Sequence, residues 1–156
     1  MSLSARLVCH PGLARRIRRF AGHFFLVTAG INAGMVAADP QAYRHFADPA
    51  ALDFVQDSWE GIVMAHPAVW GLLLAGGELV LGILLLLGGR AARAGWIGVI
   101  AFHVLLMSFG PGIWLWCIPV LAVLVPAAFA DWPQLADSAR DSSDVPVTAP
   151  TGPGVG

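Results

Sequence analysis

The sequence predicts an all-α membrane protein, a four-transmembrane-helix bundle with a short amphipathic helix on its outer surface. Hydrophobic residues make up 57% of the 156-residue chain and the mean hydropathy is +0.71. A soluble domain of that length has too little interior to hide so much apolar surface. Charged residues are 12% of the total and lie almost wholly outside four apolar runs. At ~1.5 Å per residue these runs can cross most or all of a ~30 Å hydrocarbon core. One membrane domain is expected, over residues 20–130.

Residues 1–19 form an arginine-rich leader (Arg6, Arg15, Arg16, Arg18, Arg19) without an apolar face wide enough to pack. Phe20 to Ala38 is the first crossing, with Ala29, Gly30, Ala33 and Gly34 at a spacing that lets a neighbouring helix come close. A competing reading treats residues 1–38 as a cleaved signal segment, because Val36-Ala37-Ala38 resembles a cleavage site; His23 and Asn32 interrupt such an apolar region. Asp39-Pro40 and Asp48-Pro49 each offer an N-cap followed by proline, and start two short helices. In the second, Leu52, Val55, Trp59 and Ile62 recur at helical spacing opposite Asp53, Gln56, Asp57 and Glu60. That segment is too polar to span and belongs at the membrane surface.

His66-Pro67 opens the second crossing, 67–87, and a hinge at Gly88, Gly89, Arg90 and Arg93 leads to the third, 94–109. Gly110-Pro111-Gly112 is a tight turn into the fourth, 113–130, which carries Trp114 and Trp116 near one end, Trp132 beyond the other, and Pro119 and Pro126 inside. The glycine pairs Gly76-Gly77 and Gly88-Gly89 are expected to serve packing and the hinge. From Asp131 the composition turns to Asp, Ser, Pro, Thr and Gly, so residues 131–156 are expected to be a disordered tail. The leader and hinge arginines fall on one side of a four-crossing topology and the loop 39–65 has only Arg44, which places both termini in the cytoplasm.

The candidate chemistry is a polar layer in mid-membrane. Glu78 stands alone among leucines and glycines in the second crossing, and His103 among aliphatics in the third. Both are about a dozen residues from the hinge, so antiparallel helices put them at one depth, roughly 15–20 Å in. Asn32 lies ~18 Å along the first crossing, at a similar level. An ionisable group there is costly and marks a functional site by default, with a Glu78–His103 hydrogen bond oriented by Asn32 as the expected pairing. The alternatives are helix–helix glue and a proton-accepting site beside a quinone or similar lipid-soluble molecule. Haem fits poorly, since His23 and His103 differ in depth; no metal-ligand spacing is present among His23, His103 and Glu78. Cys117 reads as a core residue, and Cys9 lies too far from it in the topology for a disulfide. A net charge of −1 with no basic stripe gives no sign of nucleic-acid binding.

GHFFLVTAG (22–30), the connector from Tyr43 to Trp59 with its HFAD, and above all GELVLGILLLLGGRAARAG (77–95) resemble the DoxX-like family of small four-helix bacterial membrane proteins. The likeness covers roughly residues 15–130. It implies four transmembrane helices, a link to the small subunit of thiosulfate:quinone oxidoreductase, and a family position at Glu78. The chain departs from the family in the first helix, with Ile31-Asn32-Ala33 where a lysine is common. The expected function is therefore an accessory membrane subunit of a quinone-linked redox system, its electron donor a partner protein. The other readings are a non-catalytic membrane anchor or scaffold, and a small permease that would oligomerise.

Overall fold

The computed structural model describes residues 10–141, with side chains through Leu135. Every regular element among them is helical. Helix α1 spans Pro11–Ala38 and starts earlier than the first crossing's expected Phe20. His10 caps it, its ring accepting from the Gly12 N–H, and Pro11 occupies the first turn, where a missing N–H costs nothing. The leader is thus corrected over residues 11–19: Ala14 and Arg18 join Ala21, Phe25 and Ala29 in one buried stripe at helical spacing. Sequence reasoning set Arg18 aside as a leader charge, but it has an acidic partner inside the bundle. The expectations for residues 1–9, Cys9 included, lie outside the described residues.

Asp39 ends α1 and its carboxylate accepts from the Gln41 N–H at 2.8 Å, starting the 3-10 helix Pro40–Ala47 as the Asp-Pro signal predicts. The second surface helix begins later than expected. The chain turns at Asp48 and Pro49, then forms α2, Asp53–Ser58, which runs into a π turn, Trp59–Val63. The wider turn rotates the helical face, so Val55, Trp59 and Val63 are partly covered while Leu52 and Ile62, expected on the same stripe, are exposed. Phe46, Trp59 and Phe109 stack edge-on or tilted with ring centroids 4.8–5.5 Å apart, fastening this cap to the end of the bundle.

Helix α3, Pro67–Leu87, has the bounds expected of the second crossing. Gly88, at φ 83°, breaks the chain in the left-handed region that favours glycine, and α4 follows over Gly89–Leu106 with a 3-10 turn at Met107–Phe109. The hinge is therefore shorter than expected, and Arg90 and Arg93 sit in the first turns of α4. Helix α5 runs Pro111–Asp141 through Pro119, Pro126 and Pro133. This corrects the expected tail over residues 131–141, which continue the fourth helix; Asp131 and Leu135 are buried. The rest of that tail, 142–156, lies outside the described residues.

The four long helices close a ring in which α1 packs on α3, α3 on α4, α4 on α5 and α5 back on α1. The α1–α3 contact is the tightest and rests on Gly22 and Gly82: a Cβ on Gly82 would stand 2.9 Å from the Gly22 carbonyl. The close approach expected at Gly30 and Gly34 is not there, nor is one at Gly76 or Gly77, since these glycines face open space. Trp96, Leu85, Val99 and Cys117 fill the centre. Leu105, Leu115 and Phe129 are among the large apolar residues turned outward, as helices bathed in hydrocarbon require. Four helices are long and apolar enough to cross a bilayer, and the chain is a multi-pass membrane protein in contact with lipid.

Candidate functional site

Two polar nodes occupy this bundle, and they differ in character. The first joins all four long helices at the end where α1 begins and α5 finishes. Arg18 on α1 pairs with Asp131 on α5 at 2.8 Å, its guanidinium also donates to the Leu85 carbonyl on α3, and the Trp96 indole N–H of α4 donates to the same Asp131 oxygen at 3.1 Å. Arg15 reaches Gln134 at 3.1 Å, and Arg93 donates to the Trp132 carbonyl while lying 5.1 Å from the centroid of that indole. Both charges of the central pair are almost wholly buried. Sequence reasoning missed this node because it placed Arg18 in the leader and Asp131 in the tail. The signal that finds it is the helical stripe from Ala14 to Phe25, with an arginine inside.

The second node holds the polar layer. Asn32 of α1 donates from Nδ2 to a Glu78 oxygen of α3 at 2.7 Å, and the Tyr43 hydroxyl of the outer cap donates to Asn32 Oδ1 at 2.6 Å. The amide nitrogen thus faces the carboxyl and the amide oxygen faces the phenol. The Thr28 hydroxyl, one turn before Asn32, gives its proton to the Phe25 carbonyl at 3.1 Å and lines the same cavity as Glu78. Tyr43 was not among the sequence candidates; as the chain's one tyrosine, in a surface segment, it gave no periodic signal. Burial and, after it, the Glu78 charge push the Tyr43 phenol above its ordinary value. Its backbone carbonyl is held in turn by the Trp59 indole N–H at 3.0 Å, so the two halves of the cap are joined at the residue that reaches the site.

His103 is at the same level but does not bond to Glu78. Its Nδ1 lies 2.8 Å from the Val99 carbonyl one turn back. A carbonyl only accepts, so Nδ1 carries the proton and, in the neutral ring, Nε2 keeps the lone pair. Phe25 and Phe102 flank the imidazole edge-on at 6.1 and 5.8 Å. The ring is 3% exposed and Glu78 6%. The expected Glu78–His103 hydrogen bond is therefore replaced by Asn32–Glu78, because the imidazole Nδ1 is taken by a carbonyl of its own helix.

What unites Glu78, Asn32, Tyr43 and His103 is a cavity of about 750 Å³ on which all four open. Aromatic rings dominate its walls, among them Phe24, Phe46, Trp59, Trp70, Phe102 and Trp116. A few polar groups in an apolar chamber of this size are the usual make-up of a small-molecule site. The tryptophan Trp116, expected only as a membrane-belt residue, is part of the wall. His23 bonds the Arg19 carbonyl at 2.7 Å and His66 occupies the N-cap position of α3 without a side-chain cap bond; neither lines the cavity. No family model, curated protein or solved structure matches the chain, so the likeness to the DoxX-like family rests on the residues quoted above.

Proposed function

We propose that the chain is an integral subunit of a quinone-linked redox system in a bacterial plasma membrane, with both termini in the cytoplasm, and that its cavity binds a quinone. The observation that carries this is the Tyr43–Asn32–Glu78 hydrogen-bonded chain opening, together with His103, onto one apolar chamber. A quinone needs a flat apolar berth, hydrogen-bond partners for two ring oxygens and groups that exchange protons. The chamber walls supply the first and the polar layer the others. The DoxX-like resemblance points the same way.

The residues divide the work by chemistry. Asn32 uses its donor on Glu78 and its acceptor on Tyr43, so it orients the carboxyl and is not itself a carrier. Glu78 is the group that holds or releases a proton at a ring oxygen, and His103 Nε2 is a second base on the cavity wall. Quinone reduction takes two electrons and two protons; the electrons come from a partner protein, and this chain's part is binding and proton exchange. Orientation follows from Arg15, Arg16, Arg18, Arg19, Arg90 and Arg93, which gather at the end holding the start of α1 and the α3–α4 junction, while the acidic cap lies at the other.

The test is a quinone titration of the purified protein in lipid nanodiscs, with Glu78→Gln and His103→Ala beside wild type. Saturable binding in wild type, weakened at least roughly tenfold in Glu78→Gln with unchanged thermal unfolding, is the expected result, one lost charge-assisted hydrogen bond being worth about that. Wild type without saturable binding would refute the reading and leave the chain as a membrane anchor for a partner.

A further inference from the structure

The cavity that carries the polar layer has a neighbour. A second cavity of about 680 Å³ lies between α1 and α5 and shares Phe24, Phe25, His103 and Trp116 with the first. We infer that this second cavity is the slot for the long apolar tail of the same ligand, whose ring occupies the first, and that the ligand enters sideways from the bilayer between α1 and α5. The inference rests on the quinone reading for the ring end only.

Three features argue for a single tail. The walls of the second cavity are apolar along their length, from Ile17 and Ala21 on α1 to Val120, Val123 and Leu124 on α5, with Arg16 as the charged residue at the far end. On α1 the residues Arg16, Phe20, Phe24, Thr28 and Asn32 line the two cavities at four-residue steps, a row of successive neighbours that winds gradually around the helix from one cavity to the other. From Asn32 to Arg16 that row rises ~24 Å, most of the depth of a ~30 Å hydrocarbon core. The cleft is also the way in. Helices α1 and α5 are the least closely packed neighbours of the ring, and Phe20 and Leu115 on the slot's lining are 73% and 83% exposed. The other end of the ring chamber is covered by the cap through Tyr43, Phe46 and Trp59. A two-chained phospholipid seated on Arg16 would fill the slot with one chain, leave its other chain unhoused and leave the polar layer without a ligand.

Lipid tails are as apolar as the slot, so the tail gains packing and not escape from water. Its contribution is shape-dependent and can be blocked by shape. The experiment compares a tail-less quinone with one bearing a long prenyl tail, each titrated into nanodiscs holding wild type, Val120→Trp or Val123→Trp. Val123 is 49% exposed, so its replacement is tolerated by the fold even if Val120→Trp is not. The long-tailed quinone should bind wild type roughly tenfold tighter than the tail-less one, the scale on which an apolar pocket discriminates. Both variants should erase that margin while leaving the tail-less quinone within about twofold. Equal affinity for the two ligands in wild type, or variants that weaken both alike, overturns the slot and leaves the ring site standing. Loss of both ligands in Glu78→Gln alone tests the ring site separately.

A ring-less prenyl alcohol carrying a terminal diazirine decides the slot without the quinone head. Cross-links at Ile17, Val120 or Leu124, lost in Val123→Trp, support it even where no quinone binds. Label spread equally onto the lipid-facing Leu79 and Val80, or displaced by anionic phospholipid, assigns the groove to bulk lipid and overturns the proposal.

Discussion

Replacing Asp131 by alanine is the most direct way to weigh the node that ties the four helices together. The carboxylate stands 2.8 Å from Arg18 Nε as an ion pair and accepts from the Trp96 indole at 3.1 Å, and its side chain is 1% exposed against 8% for Arg18. Without it the guanidinium keeps only the Leu85 carbonyl, and the indole N–H has no acceptor. Removing one member of a buried pair costs about 3–5 kcal/mol, because the other charge stays buried. The lower end applies here, since Arg18 sits in the third turn of α1 and its long stem lets the head move toward the interface. The paired replacement Arg18→Met with Asp131→Leu removes both charges at once, and should leave stability within about 1 kcal/mol of wild type or raise it. The assay is equilibrium unfolding in mixed detergent micelles, followed by tryptophan fluorescence, run as a double-mutant cycle. If Asp131→Ala loses less than about 1 kcal/mol, the pair behaves like an exposed one and the account of a buried lock fails.

Helix contact and cap give two further predictions. Gly82→Ala forces a Cβ against the Gly22 backbone and the Leu26 side chain, and should cost about 1–3 kcal/mol in the same unfolding assay, whereas Gly76→Ala faces open space and should be neutral or gain up to about 1 kcal/mol from helix propensity. Equal effects at the two sites would contradict the packing described here. Tyr43 is the chain's single tyrosine, so its phenolate absorbance can be titrated without interference. Its midpoint should lie above the ordinary value of about 10, and Glu78→Gln should bring it down by removing the second cause of the shift. Because the folded state holds this proton more firmly than the unfolded chain, the stabilisation is complete below the ordinary phenol value and fades as pH rises through the folded one. A midpoint at or below that of free tyrosine would mean that the phenol is open to water.

The parts of this fold that were legible in sequence are those governed by local rules. Helix α3 has the bounds expected because proline fixes its start and glycine its end, and the Gly88 break needs nothing beyond its own backbone freedom. Depth was legible too: counting residues from the hinge for Glu78 and His103, and along the first crossing for Asn32, nominates three side chains that line one cavity. Partners across helices were not. The polar layer closes through Tyr43, which reaches Asn32 only because a 3-10 turn folds back over the bundle, and a side chain's neighbours in space leave no periodic trace. Arg18 and Asp131 failed for a related reason. A charge beside an apolar run reads as its boundary, yet two opposite charges that neutralise each other let both helices extend past it. The small residues of α1 show the same limit: spacing nominates Gly30 and Gly34, but only the neighbouring helix decides that Gly22 is the one pressed against Gly82.

The two polar nodes together constrain how a ligand can arrive. At one end Arg18, Asp131, Trp96 and the Leu85 carbonyl link α1, α5, α4 and α3, so the helices cannot part there without breaking a charge pair. At the other, the aromatic cap of Phe46, Trp59 and Phe109 lies over the chamber and is held through Tyr43. A bundle tied at one end and covered at the other opens most readily at its side, where neighbouring helices are least closely packed, between α1 and α5. In the proposed sideways entry the Arg18–Asp131 pair holds α1 and α5 together at one end, so a ligand would separate them toward Trp116 and the ring chamber. Loosening the lock with Asp131→Ala should accordingly disturb the tail slot beside it more than the Tyr43–Asn32–Glu78 chain beyond, which is braced by α3 and by the cap.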